Sequence, residues 1–180
     1  MSRLSSRSLL LTAAVSSLAL GGTLWVKPAL AGSATSNISL RASVPANCTI
    51  SPDPIDFGQY YASTAFDATP GGIGPTIISY NCTSGASATI TLNQGNNAAS
   101  GSTDAAPLRR LSNGSGSYLN YNIYQNPSRT TVWGNTAGTG QQVTGTGTLD
   151  NVEMYAVIPS GQTAATVGAY SDTVVATITY

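Results

Sequence analysis

Hydrophobic and polar residues alternate along much of this chain, which is the pattern of β-strands with one buried face. The C-terminal segment 172–180 is the clearest case, and its apolar face is formed by Val174, Ala176, Ile178 and Tyr180. A second alternating segment lies near residue 40, and its apolar face is formed by Ile38, Leu40, Ala42 and Val44. We expect no later segment to pair with the C-terminal strand. The pattern therefore predicts an open sheet edge and a spare strand at the opposite terminus, as in a subunit that completes its neighbour.

Shorter alternating runs fill the middle of the chain. They cover residues 76–82, 88–92, 119–123 and 152–158, and turns rich in glycine, asparagine and proline separate them. Windows with the period of a helix are absent beyond residue 31. This arrangement predicts an all-β sandwich of one domain. The glycine-rich stretches 98–106 and 134–147 are predicted to be loops.

The first 31 residues are predicted to be a signal peptide. A basic start with Arg3 and Arg7 precedes an apolar run over 9–26, and a small-x-small cleavage site ends at Ala31. The alternative is a retained membrane anchor, because the apolar run is long for a signal peptide. Cleavage would start the mature chain at Gly32 and export it.

The two cysteines, Cys48 and Cys82, are predicted to form a disulfide, because an exported chain enters an oxidising compartment. Closing a loop of this length would stabilise the fold by about 4 kcal/mol on the chain-entropy estimate. A metal or redox role would need C-x-x-C spacing or histidine partners, and the chain has neither.

Charged residues are few beyond residue 31. Four are basic and seven are acidic, a net charge of −3, and lysine and histidine are absent from this part of the chain. Nucleic-acid binding requires a basic surface, so that class of function is excluded. Without histidine, a Ser-His-Asp triad, a Cys-His pair and the usual zinc sites are excluded as well. We therefore predict no catalytic residue, no metal site and no cofactor.

Two residue pairs are possible sites. Asp150 and Glu153 are the nearest carboxylates in sequence, but residues three apart on a strand point to opposite faces. Solvated carboxylates at the start of a strand are therefore favoured over an acid–base pair. Arg129 and Trp133 could form a surface pair that binds sugar. The favoured interpretation packs Trp133 near a strand end and bonds Arg129 to loop carbonyls.

Segments spread along the chain resemble the spore coat protein U domain, which is also the pilin domain of archaic (Csu-type) chaperone–usher pili. They are ANCTI at 46–50, IDFGQY at 55–60, YNCTSG at 80–85, LNYNIY at 119–124, RTTVWG at 129–134, and the C-terminal segment 168–180. Their order and spacing hold across nearly the whole mature chain.

The resemblance implies an incomplete immunoglobulin-like β-sandwich, the pilin fold, which lacks its final strand. A periplasmic chaperone would lend a strand first, and at the outer-membrane usher the N-terminal extension of the next subunit would replace it. Residues 32–45 would be this donor extension, with Ile38, Leu40, Ala42 and Val44 in the pockets. Residues 46–180 would be the pilin domain, in which chaperone and donor pair with the strand of Val174, Ala176, Ile178 and Tyr180. The carboxylate of Tyr180 would be held by basic residues of the chaperone. The alternative for both segments is an ordinary strand, either the first strand of the chain's own sheet or a sheet edge.

By this resemblance the chain is a secreted, non-enzymatic subunit of a cell-surface pilus, with roles in adhesion and biofilm formation. Its partners would be the chaperone, the usher and other pilus subunits, and its single domain suits a rod or adaptor subunit better than a tip adhesin. The first alternative is a non-polymerising spore-coat or carbohydrate-binding surface protein on the same sandwich. The second is a secreted hydrolase that uses carboxylates.

Overall fold

The computed structural model describes residues 31–61, 66–68 and 75–180. The chain divides into two units, Met1–Arg41 and Ala42–Tyr180. In the first unit, residues 31–41 are exposed and form neither helix nor strand. The predicted signal peptide lies outside the described residues, except for Ala31. The described ranges hold no helix of the length and hydropathy needed to cross a membrane.

The second unit is built from strands and their connections, and its described residues include no helix. The strands are β1 Cys48–Pro52, β2 Phe66–Ala68, β3 Thr76–Cys82, β4 Ser87–Leu92, β5 Arg109–Ser112, β6 Tyr118–Tyr124, β7 Gln141–Thr144, β8 Leu149–Ile158 and β9 Ala176–Thr179.

The strands form two antiparallel sheets. The first has the order β1-β3-β8-β6-β5, and the short β2 pairs with the C-terminal part of β8, where Phe66 lies opposite Ile158. The second sheet has the order β7-β4-β9. Because every second side chain of a strand points to the same face, each sheet presents one apolar face, and these faces share a single core.

The core confirms the predicted inward faces. The buried residues of β3 are Thr76, Ile78, Tyr80 and Cys82, and those of β6 are Leu119, Tyr121 and Ile123. In β8, Met154, Ala156 and Ile158 are buried and Val152 is half-buried. The predicted all-β sandwich is therefore correct, and so are the predicted inward faces of β3, β6 and β8.

The prediction that residues 134–147 form a loop is wrong in part, because β7 lies within them. The polar sequence QQVT hides this strand, in which only Val143 turns into the core. Glycine allows the close approach of β7 to β4, since a Cβ at Gly140 would lie 2.8 Å from the carbonyl oxygen of Ile90. The stretch 98–106 is a loop, as predicted.

The C-terminal segment keeps the predicted alternation, although its regular strand is shorter than predicted. Residues 172–175 precede β9 and are not part of the regular strand. Asn93 holds Val175 with two hydrogen bonds: its side-chain Oδ1 accepts from the Val175 N–H (2.9 Å), and its backbone N–H donates to the Val175 carbonyl (3.0 Å). The half-buried apolar residues are Val174, Ala176 and Ile178, which pack against the core. Tyr180 differs from them, because 55% of its surface is exposed.

Candidate functional site

The predicted disulfide is present and lies at the N-terminal edge of the sandwich. Cys48 and Cys82 are directly opposite each other in the β1–β3 register, and their sulfurs are bonded. Just before the disulfide, the Asn47 N–H donates to the Thr83 hydroxyl (3.1 Å), and the Thr83 N–H donates to the Asn47 carbonyl (2.9 Å). The Thr83 hydroxyl also donates to the Pro45 carbonyl (3.3 Å). The chain is therefore fixed from Pro45 onward.

Residues 31–44, which precede Pro45, are exposed. The apolar side chains that the sequence predicts to be donor residues have no core of their own: Ile38 is 84% exposed, Leu40 is 88% exposed and Val44 is 82% exposed. Ala42 is exposed as well, and residues 38–44 form no strand. The alternative prediction, a first strand in the chain's own sheet, is not what the structure contains. Exposing large apolar side chains in this alternating order is costly unless another surface covers them.

The sandwich is open along one side. One wall of this opening is the chain that follows β1, residues 52–57, and the other wall is residues 172–176. The floor consists of core side chains from both sheets, namely Ile78, Leu92, Leu111, Tyr121, Ile123 and Met154. The cleft between the walls has a volume of about 410 Å³. We call this opening the groove.

The groove continues along the molecule into a wider cleft of about 1070 Å³. The two parts share Ile55, Phe57, Leu111 and Asp172 in their linings. The wider part lies between residues 55–61 and the chain that follows β8. At the shared section, the rings of Phe57 and Tyr121 are in contact at a centroid distance of 5.7 Å. The two clefts therefore adjoin at these residues and form one opening over the apolar side chains of the core.

An unpaired strand edge borders the groove. β9 pairs with β4 in the register Ile90 opposite Ile178, and among the described residues it has no partner strand on its other side. Free N–H and C=O groups along such an edge are available to a further strand. The predicted edge at Val174, Ala176, Ile178 and Tyr180 thus coincides with a groove wall over its first two positions, Val174 and Ala176.

Asp172 holds the start of this wall in place. Its Oδ1 accepts hydrogen bonds from the N–H groups of Asn96 (2.9 Å) and Asn97 (3.2 Å), and from the Asn97 side-chain amide (3.0 Å). Its Oδ2 accepts from the hydroxyl of Tyr121 at 2.7 Å. Burial and this hydrogen bond raise the pKa of Tyr121 above its ordinary value, so the hydroxyl stays a donor.

Arg109 connects the two sheets behind the groove floor. Its guanidinium is buried and donates to carbonyl oxygens of the second sheet and its loops: Leu92 (2.9 Å), Asn93 (2.7 Å) and Trp133 (2.8 Å). Burial lowers the pKa of Arg109 to about 10, while the nearby Tyr121 and Asp172 oppose that shift. The side chain stays charged at neutral pH and is anchored by this ring of carbonyls.

The carboxylates of Asp150 and Glu153 do not face each other. Asp150 accepts from the buried Tyr80 hydroxyl at 3.2 Å, and Glu153 accepts from the hydroxyl of Tyr155. These two carboxylates lie at positions of opposite parity on β8, so they point to opposite faces, as predicted. Within the described ranges, no group of three or more potential metal ligands comes together.

The sugar-binding interpretation of Arg129 and Trp133 is wrong. Trp133 is fully buried, and its indole N–H donates to the carbonyl of Ile90 at 2.8 Å, so no face is left for a ligand. Arg129 is half-buried in a turn, where its φ is 55° and its N–H donates to the Asn126 carbonyl at 3.0 Å. The favoured packing of Trp133 near a strand end is correct.

Sequence reasoning missed Arg109 and Asp172, which fix the groove floor and wall. A signal for Arg109 was available, because it has the same parity as Leu111 and therefore points inward from β5. Asp172 could be found only through its contacts with the loop at 96–97, which are distant in sequence.

Comparison with known proteins identifies a family and a relative of this chain. The model of the family described as Spore Coat Protein U domain matches residues 34–177. A curated relative, Protein U of Myxococcus xanthus, is 40% identical over 161 residues, which covers 85% of this chain and 88% of the relative.

The fold is similar to that of a chain in the crystal structure of the CsuC–CsuE chaperone–tip adhesion subunit pre-assembly complex, from the archaic chaperone–usher Csu pili of Acinetobacter baumannii. The TM-score is 0.50 and the identity 19%, and the similarity covers 76% of this chain but 40% of that one. At this identity the similarity concerns the fold alone. It confirms the predicted immunoglobulin-like pilin sandwich.

Proposed function

The chain belongs to the spore coat protein U domain family, and from this premise we propose that it is a structural subunit of a surface pilus, assembled by donor-strand exchange. The family consists of structural, non-enzymatic proteins, which confirms the prediction that the chain is not an enzyme. In the proposed pathway the subunit crosses the periplasm with a chaperone, is delivered to an outer-membrane usher and joins other subunits at the cell surface. Adhesion and biofilm formation are the proposed roles of the polymer.

One observation carries this proposal, namely that an open apolar groove and an exposed apolar extension occur in the same subunit. The groove borders the unpaired edge of β9, and the extension presents Ile38, Leu40, Ala42 and Val44 with the two-residue period of a strand. Strand addition satisfies both, because main-chain hydrogen bonds pair the edge and alternate side chains enter the pockets. Residues 32–45 are the proposed donor, and residues 46–180 the proposed acceptor domain.

The test is assembly with the chaperone and usher of the protein's own host, followed by an unboiled denaturing gel. We expect the wild type to give a ladder of stable multimers. Leu40→Asp should abolish the ladder, because a carboxylate would have to enter an apolar pocket. Ser39→Asp adds the same carboxylate to the opposite face of the segment, so its ladder should persist, although the exposed Asp53 and Asp56 in the lining of the opening should slow its growth.

Two results would contradict the proposal. A wild type that runs only as a folded monomer would exclude donor-strand polymerisation. A ladder lost equally in Leu40→Asp and Ser39→Asp would show that the alternating apolar face of residues 38–44 is not what binds.

The family description supports a second candidate, a spore or cell coat built from the same subunits. Electron microscopy of cells with labelled protein separates the two functions, since a pilus gives thin surface fibres and a coat gives a continuous layer. The gel experiment separates a polymeric coat from the non-polymerising surface protein, because only the polymer gives a ladder.

A further inference from the structure

The charge of the groove differs from the charge of the extension. Among the described lining residues of the two clefts, three are acidic and none is basic. They are Asp53, Asp56 and Asp172. Asp172 is occupied by the hydrogen bonds to the 96–97 loop and to Tyr121. Asp53 and Asp56 are exposed on the wall that follows β1, and Oδ1 of Asp56 accepts a hydrogen bond from the Gly58 N–H at 2.8 Å. We call these two carboxylates the rim.

Among the four basic residues beyond residue 31, all of which the structure describes, one is exposed as Asp53 and Asp56 are. Arg109 is buried, Arg110 is half-buried over the ring of Tyr118 at 4.0 Å, and Arg129 is half-buried. Arg41 is exposed, and it is the single charged residue between 32 and 45. The proposed donor is thus a cationic segment, and the proposed acceptor surface is anionic.

The position of Arg41 in the segment determines which way its charge faces. Arg41 lies between Leu40 and Ala42, so in a strand its side chain points away from the apolar face. When the apolar face fills the groove, Arg41 faces outward, and the exposed carboxylates of the lining are Asp53 and Asp56. Its neighbours on that face, Ser39 and Ser43, carry no charge.

We propose that the occupant of the groove is residues 38–44 of a second copy of this chain, and that Arg41 of that copy sets the register by pairing with the carboxylate rim of Asp53 and Asp56. This inference rests on the proposed function and adds to it a homopolymer and a register-setting residue. A shift of the donor by two residues keeps the same apolar face inward, so the pockets alone do not fix the register. A shift of two moves Arg41 by about 7 Å along the groove, which breaks a contact with a single carboxylate.

The experiment measures the rate of multimer growth in the assembly reaction at low salt. Arg41→Gln should slow growth about threefold, which is the effect expected from the loss of one exposed ion pair. Arg41→Asp should slow growth about tenfold, because it replaces attraction to the rim by repulsion. In about 1 M salt the variants and the wild type should converge, since charges are screened beyond about 3 Å there.

Charge reversal identifies the partner residue. Asp53→Arg and Asp56→Arg are each combined with Arg41→Asp, and we expect one of the two double variants to recover growth to within about twofold of wild type. The double variant that recovers gives the register. Glu153→Arg is the matched control, because it reverses a carboxylate on the outer face of β8 and should restore nothing in the Arg41→Asp background.

The outcomes separate the two proposals. If the wild-type ladder forms but Arg41→Asp grows at the wild-type rate, or neither double variant recovers, the register role of Arg41 is overturned while donor-strand exchange stands. If purified wild-type protein polymerises only when a different subunit is added, the homopolymer is overturned. A wild type with no ladder under any of these conditions overturns both proposals.

Discussion

Replacing the buried Arg109 by methionine should destabilise the protein far more than the same change at its neighbour Arg110. Methionine keeps much of the stem volume but removes the donors to the carbonyls of Leu92, Asn93 and Trp133. Each buried acceptor that loses its partner costs about 1–3 kcal/mol. Two terms offset part of this loss, the desolvation of the guanidinium and the buried Nη1, which has no hydrogen-bond partner. We expect a net loss of about 3–4 kcal/mol.

Arg110→Met is the matched control in the same strand. Arg110 is half-buried, donates to the carbonyls of Asn97 (3.0 Å) and Ala98 (3.1 Å), and stacks on Tyr118. A partly exposed cation–π contact and two accessible hydrogen bonds account for about 1 kcal/mol. The two variants differ by one position and by the face on which the arginine lies.

The assay is urea unfolding followed by the fluorescence of Trp133, the one tryptophan beyond residue 31. Trp133 is fully buried, and its carbonyl accepts a hydrogen bond from Arg109, so its emission reports the surroundings of Arg109. A loss of 3–4 kcal/mol lowers the unfolding midpoint by about 2 M urea for a domain of this size. If Arg109→Met and Arg110→Met have equal midpoints, and both have free energies of unfolding within about 1 kcal/mol of the wild type, the role assigned to the hydrogen bonds from Arg109 to the three carbonyls is refuted.

Three further predictions concern the disulfide, the Tyr121 hydroxyl and the loop that holds Asp172. Replacing both cysteines by serine should lower the free energy of unfolding by about 4 kcal/mol; a midpoint equal to that of the oxidised wild type would contradict it. The raised pKa of Tyr121 means that the folded state keeps a proton which the unfolded chain releases above pH 10. The stability that Tyr121 contributes is therefore complete below pH 10 and is lost as the pH rises above it. The free energy of unfolding, measured with urea, should fall above pH 10 less steeply in Tyr121→Phe than in the wild type, by up to about 1.4 kcal/mol per pH unit. Equal slopes for the two proteins would rule this out. Gly95→Ala should destabilise more than Gly101→Ala, because both positions have positive φ but a Cβ at Gly95 would clash with the Asp172 carboxylate, whereas none meets an atom within 4 Å at Gly101. Thermal unfolding should give a gap of about 1–3 kcal/mol, and equal losses would mean that Asp172 yields without cost.

The sequence predicts the strands well where burial follows strict parity. The inward positions of β3 from Ile78 onward, and those of β8 from Val152 onward, are all hydrophobic, so the two-residue period alone gives both the strand and its orientation. The sequence does not predict β7, because its sequence QQVT has one core side chain and its place in the sheet depends on Gly140, which lies against β4. Patterns of hydropathy do not contain such backbone contacts.

The two alternating segments of the site could be predicted from the sequence, but the groove could not. Residues 38–44 and 174–180 stand out because each is an alternating segment without a local partner. The groove between the walls depends on pairings of residues far apart in sequence, such as Asp172 with Tyr121 and Arg109 with the carbonyl of Trp133. These pairings are set by tertiary packing, so they appear only in the folded chain.

The disulfide has a mechanical consequence for the proposed polymer. Tension along a fibre would pull on the extension of each subunit, and this force enters the sandwich at Pro45 and Asn47, where Thr83 holds the chain. One residue later, Cys48 is bonded covalently to Cys82 at the end of β3. The pull therefore passes into an interior strand of the larger sheet without first stretching the hydrogen bonds between β1 and β3. Unzipping of β1 from its N-terminal end is blocked, so such a fibre would lengthen at the contacts between subunits before β1 detaches.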